Sequence, residues 1–84
     1  MITVLYFASV KEKVGLSEEK IDPPSHVTTV SGLIDWLASR SPRHADAFAS
    51  RATIKSAVDH AHVPHSASIV GAGEIAFFPP VTGG

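Results

Sequence analysis

Two groups of residues in this 84-residue sequence could do chemistry: the cluster His60-x-His62-x-x-His65, and a chain end reading Pro79-Pro80-Val81-Thr82-Gly83-Gly84. If His60 and His62 lie on a strand they share a face, and His65 could curl back to complete three zinc-type ligands. The sequence offers no fourth ligand at a recognised spacing, so a polar, solvated hairpin is the favoured reading and no metal is expected. The end of the chain offers a carboxylate with no side chain near it. Two prolines bias the segment toward stiff polyproline II geometry, and two glycines without Cβ follow. A spacer that leads to a slender terminus suits insertion into a narrow channel. Fully extended, Pro79 to Gly84 reaches roughly 20 Å.

A terminal Gly-Gly occurs by chance in roughly 0.5% of chains at average glycine usage, so alone it says little. What precedes it gives it weight. Glu74-Ile75-Ala76-Phe77-Phe78 reads as a strand stopped by Pro79-Pro80, which cannot continue a ladder. Within it Ile75 and Phe77 share one face, assigned to the core, and Phe78 emerges on the other, beside the tail. An exposed Phe forgoes about 1.5–3 kcal/mol of burial, which marks Phe78 as a partner contact.

The elements that must carry this tail are legible along the chain. Ile2 to Ala8 is β-branched and aromatic and predicts a first strand. Ser9 to Val14 predicts a turn or two of helix that Gly15 ends in the left-handed conformation. Glu18 to Ile21 predicts a second strand, antiparallel to the first. Thr28 or Thr29 caps the clearest helix, in which Val30, Leu33, Ile34 and Leu37 form one apolar stripe and Trp36 sits at its edge. Ser41-Pro42 opens a second, short helix through about Phe48. Ile54 to Asp59 predicts a third strand, Val63 to Ser68 a loop with room for one short strand, and Gly71-Ala72-Gly73 a turn. This order describes an α+β roll, and a ubiquitin-like β-grasp with a mixed sheet and one main helix on one face fits it. The domain is expected over residues 1–78 and the extended tail over 79–84.

Composition narrows the function classes. Hydrophobic residues make up 44% and the mean hydropathy is +0.17, as expected of a folded chain. Seven basic against eight acidic residues, with no basic cluster, argue against nucleic acid. No segment approaches a membrane span, and the apolar start lacks the positive region of a secretory signal, so a cytoplasmic location is expected. Cysteine is absent, which removes disulfides, thiolate metal sites and thiol nucleophiles. The runs Lys11-Glu12-Lys13 and Glu18-Glu19-Lys20 read as solvated faces, and His26 and His44 as isolated surface residues.

The run Glu74-Ile75-Ala76-Phe77-Phe78-Pro79-Pro80-Val81-Thr82-Gly83-Gly84 closely resembles the C-terminal signature of the molybdopterin synthase small-subunit family, the MoaD-type sulfur carriers. Val4-Leu5-Tyr6-Phe7-Ala8, the helix after Val27-Thr28-Thr29-Val30 and Ala57-Val58-Asp59 are similar to that family too. Asp59, where relatives often carry asparagine, and Ala72-Gly73, where they usually carry Gly-Asp, depart from it. The resemblance implies that an E1-like adenylating enzyme spends ATP to activate the Gly84 carboxylate. A sulfur donor system then replaces AMP to leave a thiocarboxylate. Docked on the large synthase subunit, the carrier delivers sulfur to cyclic pyranopterin monophosphate. Gly83, Thr82, Val81, Pro80 and Pro79 would thread the channel. The chain itself would hold no permanent cofactor, and catalytic side chains would belong to the large subunit. A carrier for thiamine synthesis, a ubiquitin-like modifier and a non-catalytic binding module are the alternatives.

Overall fold

The computed structural model describes residues 1–80. Its elements are β1 (Ile2–Tyr6), α1 (Ala8–Val14), β2 (Glu18–Ile21), α2 (Val30–Ala38), α3 (Pro42–Ala47), a single 3₁₀ turn (Arg51–Thr53), β3 (Lys55–Val58), β4 (Ala61–Val63) and β5 (Glu74–Phe78). The strands form one mixed sheet in the order β2-β1-β5-β3-β4. Its centre is the parallel pair β1 and β5, in register Val4↔Ile75 and Tyr6↔Phe77. All other pairs are antiparallel.

The period-two alternation of these strands sets the sheet's two faces. Val4, Tyr6, Ile75 and Phe77 are at most 1% exposed and meet the α2 stripe of Val30, Leu33, Ile34 and Leu37, each fully buried. Trp36 packs at the edge of that stripe, as expected, with the Arg40 guanidinium 4.7 Å from its ring centre. Where the sequence predicts one main helix, the core draws on three. Val10 and Val14 of α1, and Ala47 of α3 with Phe48 that caps it, join the same cluster.

The caps explain where the helices begin and end. The Thr29 side chain accepts the Gly32 N–H, and the Ser41 side chain accepts the His44 N–H with Pro42 following at the first helical position. Gly15 closes α1 at φ 86°, in the left-handed region. The start of α2 leaves free N–H donors, and the loop before β5 answers them: Val30 donates to the Ala67 carbonyl at 3.0 Å and Ser31 to that of His65 at 2.8 Å. This explains how the loop from Pro64 to Ala72 lies ordered against the helix without being a strand.

Two boundaries differ from the sequence reading. β1 stops at Tyr6, because Ala8 already takes φ 51° and starts α1. The short strand expected between 63 and 68 lies at Ala61–Val63, where it forms a tight hairpin with β3. The turn residues Asp59 and His60 take φ 47° and 74°, the left-handed pair that a two-residue hairpin needs.

Candidate functional site

The tail leaves the sheet at the C-terminal end of β5, and its root is held by the core. Phe77 is fully buried, with its ring 5.0 Å from Phe48 in edge-to-face contact and stacked 6.5 Å from Tyr6. The Phe7 N–H donates to the Phe77 carbonyl at 3.1 Å, so the chain leaving β1 stays tied to the penultimate residue of β5. Pro79 follows half-buried and Pro80 exposed. Val81, Thr82, Gly83 and Gly84, on which the expected tail chemistry falls, lie outside the described residues.

Phe78 turns to the opposite face from Phe77, as the alternation requires. It is half-buried rather than open, because His62 of β4 packs against its ring at 5.1 Å between centroids. With Lys55, Val63 and Pro64 it lines a shallow groove beside the tail root. The aromatic that does stand open is Phe7, at 47% exposure, one step beyond the Tyr6–Phe77 pair. Local sequence could not bring Phe7 to the tail: only the parallel pairing of strands some 70 residues apart does so.

The three histidines of the expected cluster go separate ways. His60 sits on the hairpin turn, its Nδ1 3.6 Å from Glu74. His62 packs on Phe78, and the His65 Nε2 donates to the Ile54 carbonyl at 2.8 Å. Among the described residues no three metal-ligating side chains converge. The chain's departure at Asp59 is structural: one carboxylate oxygen accepts the N–H groups of Gly73 at 3.1 Å and Glu74 at 3.0 Å, which sets the entry to β5.

Two residues read from sequence as surface groups are not. His44 is 8% exposed, and Glu19 is partly buried facing it. The Glu19 Oε1 accepts from the Tyr6 hydroxyl at 2.6 Å and from His44 Nε2 at 2.8 Å. A mixed-charge run such as Glu18-Glu19-Lys20 looks solvated in one dimension. On a strand its middle member faces opposite to its neighbours, and here that face lies under α3. Burial pushes the Tyr6 phenol well above its ordinary range, and the Glu19 hydrogen bond and charge push it further. For Glu19, burial would raise the carboxyl, but the hydrogen bonds from Tyr6 and His44 and the charges of His44 and Arg40 outweigh it and hold it below the usual range.

The described geometry is therefore a five-stranded sheet whose last strand leads into Pro79 and Pro80, with no assembled catalytic side chains among the described residues. Over full length, covering 100% of both chains, the sequence is 37% identical to the molybdopterin synthase sulfur carrier subunit of Escherichia coli (strain K12) and 30% to that of Haemophilus influenzae. The fold superposes on SAMP1 from Haloferax volcanii with a TM-score of 0.74 at 24% identity, covering 99% of this chain and 98% of that one. It superposes on a putative molybdopterin converting factor, subunit 1, from Pyrococcus furiosus with a TM-score of 0.72 at 25% identity, covering 95% and 97%. The ThiS family matches residues 4–84, from the first core residue of β1 through the terminal Gly-Gly. With the β-grasp sheet, the buried tail root and these full-length matches in agreement, the chain belongs to the ThiS family.

Proposed function

We propose that this chain is the sulfur carrier of molybdenum cofactor synthesis, and that the carrying group is the Gly84 carboxylate. A carboxylate is a poor electrophile. Its attack on the α-phosphate of ATP, at a partner adenylating enzyme, forms an acyl-adenylate and releases pyrophosphate. Sulfur from a donor system then displaces AMP and leaves a terminal thiocarboxylate. On the large synthase subunit that sulfur passes to cyclic pyranopterin monophosphate, and two deliveries complete the dithiolene. The absence of cysteine is consistent with this, since the sulfur rides on an acyl group.

The observation that carries the reading is the 37% identity over full length to a protein named molybdopterin synthase sulfur carrier subunit, in a chain that itself ends in Gly83-Gly84. The buried Phe77 supports it, because a tail that works inside a partner needs a fixed root. Pro79 and Pro80 would then stiffen the exit while Val81, Thr82 and Gly83 thread the partner's channel, with Phe78 at its rim. ATP would be used by the adenylating enzyme, and this chain would hold no cofactor of its own.

The test is intact mass after incubation with the adenylating enzyme, ATP and a sulfur donor. The expected result is replacement of one oxygen by sulfur, localised to the C-terminal peptide. Turnover of the pyranopterin precursor with the large subunit then separates this carrier from one serving thiamine synthesis. An unmodified chain under conditions that load a known carrier would refute the proposal.

A further inference from the structure

The carrier reading uses the tail and its root, and leaves a buried polar chain on the other side of β1 without a role. Four residues from four segments take part: Tyr6 of β1, Glu19 of β2, His44 of α3 and Ser41 of the turn before it. The Glu19 Oε1 is an acceptor only, so the contact at 2.8 Å requires a proton on His44 Nε2. In the neutral ring Nδ1 is then an acceptor, and the Ser41 hydroxyl donates to it at 2.7 Å. The same Ser41 oxygen accepts the His44 backbone N–H at 3.1 Å. Every donor meets an acceptor in one direction: Ser41 to His44, His44 to Glu19, and Tyr6 to Glu19. Among the described residues no buried side-chain polar atom lacks a partner.

The position of this chain gives it a consequence. β2 is an edge strand of four residues, paired only with β1. Ile21 is its one fully buried side chain, while Glu18 and Lys20 are exposed. Apart from Ile21, little apolar burial holds β2, and Glu19 supplies its polar contact to α3. We propose that the Glu19 carboxylate is a proton-sensitive latch: ionised, it clamps edge strand β2 to Tyr6 and to α3, and protonated, it lets that strand go.

The groups that face Glu19 are the Tyr6 hydroxyl from β1, His44 from α3, and the Arg40 guanidinium from the segment between α2 and α3. The Glu19 side chain keeps 16% exposure and that of His44 10%, so water can deliver the proton. A protonated carboxyl can accept from Tyr6 and His44 only through weaker, uncharged hydrogen bonds, and it no longer offsets Arg40. Since the folded state holds Glu19 below its ordinary value of 4.5, the latch is complete above that pH. Its contribution is lost as pH falls from there through the folded value.

The test compares the full chain with Glu19→Gln, which keeps the shape and removes the charge, and Tyr6→Phe, which removes one donor. Ring ¹⁵N shifts of His44 are expected to show a proton on Nε2, as the contact with Glu19 requires. Amide exchange across the β1–β2 ladder should rise roughly tenfold in Glu19→Gln, the scale of one charge-assisted hydrogen bond, with β3 and β5 little changed. The melting temperature of wild type should fall more steeply than that of Glu19→Gln below pH about 4.5, with Tyr6→Phe between them. Parallel melting curves for wild type and Glu19→Gln would overturn the latch. So would an Nδ1–H tautomer of His44, or faster exchange spread evenly over all five strands.

Discussion

Phe77 and Phe78 are adjacent in sequence, and truncating each to alanine should separate stability from recognition. Phe77 is fully buried and packed against Phe48 and Tyr6, and a Phe→Ala change at such a site costs about 3–5 kcal/mol. A chain of this size has roughly 4–13 kcal/mol of total stability. Phe77→Ala should therefore remove a large share of it, and lower the melting temperature by roughly 15–30 °C. Phe78 is half-buried with one side against His62, so its truncation should cost about 1–2 kcal/mol, or roughly 5–10 °C. Affinity should run the other way. Beside the tail root, Phe78→Ala should weaken binding to the large synthase subunit by about tenfold or more, the scale of a central aromatic contact. Thermal melts and calorimetric titration of both variants decide the matter. Equal losses of melting temperature, or a Phe78→Ala variant that binds as wild type does, would refute the reasoning about opposite faces.

Extension of the chain beyond Gly84, and separately Gly83→Val, should abolish thiocarboxylate loading while thermal melts stay unchanged; mass spectrometry of the loading reaction and thermal melts check both. Normal sulfur transfer by a permanently extended chain would sink the carrier reading. Gly15→Ala should destabilise by about 1–2 kcal/mol. The residue stands at φ 86°, and an added Cβ would lie 2.8 Å from the Arg43 guanidinium that donates to the Glu12 and Lys13 carbonyls. Denaturant titration should show this with loading intact. His60→Gly should stabilise by about 0.5–1 kcal/mol, since His60 is an exposed turn residue at φ 74° where glycine is unstrained; a higher melting temperature is the readout.

Local patterns in the sequence determined most of the elements of this protein. The stripe Val30, Leu33, Ile34 and Leu37, the caps at Thr29 and Ser41, the stop at Gly15 and the alternation of Ile75, Phe77 and Phe78 each depend on residues a few positions apart. Helical and strand periods impose those separations directly, so they survive in one dimension. The Gly83-Gly84 pair is legible in the same way, because the chemistry proposed for it would depend on adjacent residues alone.

The tertiary structure decided what depends on which strands become neighbours. Parallel pairing of β1 with β5 brought Phe7 to the tail root, and antiparallel pairing of β1 with β2 turned Glu19 beneath α3, where it meets His44 from 25 residues away. Neither pairing has a local signature, so an acidic run and a lone histidine read as surface. The histidine group shows the reverse. Its spacing allowed a metal site, but the left-handed turn at Asp59-His60 put His60 at the hairpin tip, while His62 and His65 took partners of their own. Spacing along a chain limits which side chains can meet. Which ones do meet is settled by the sheet, because burying its apolar face fixes strand order and register together.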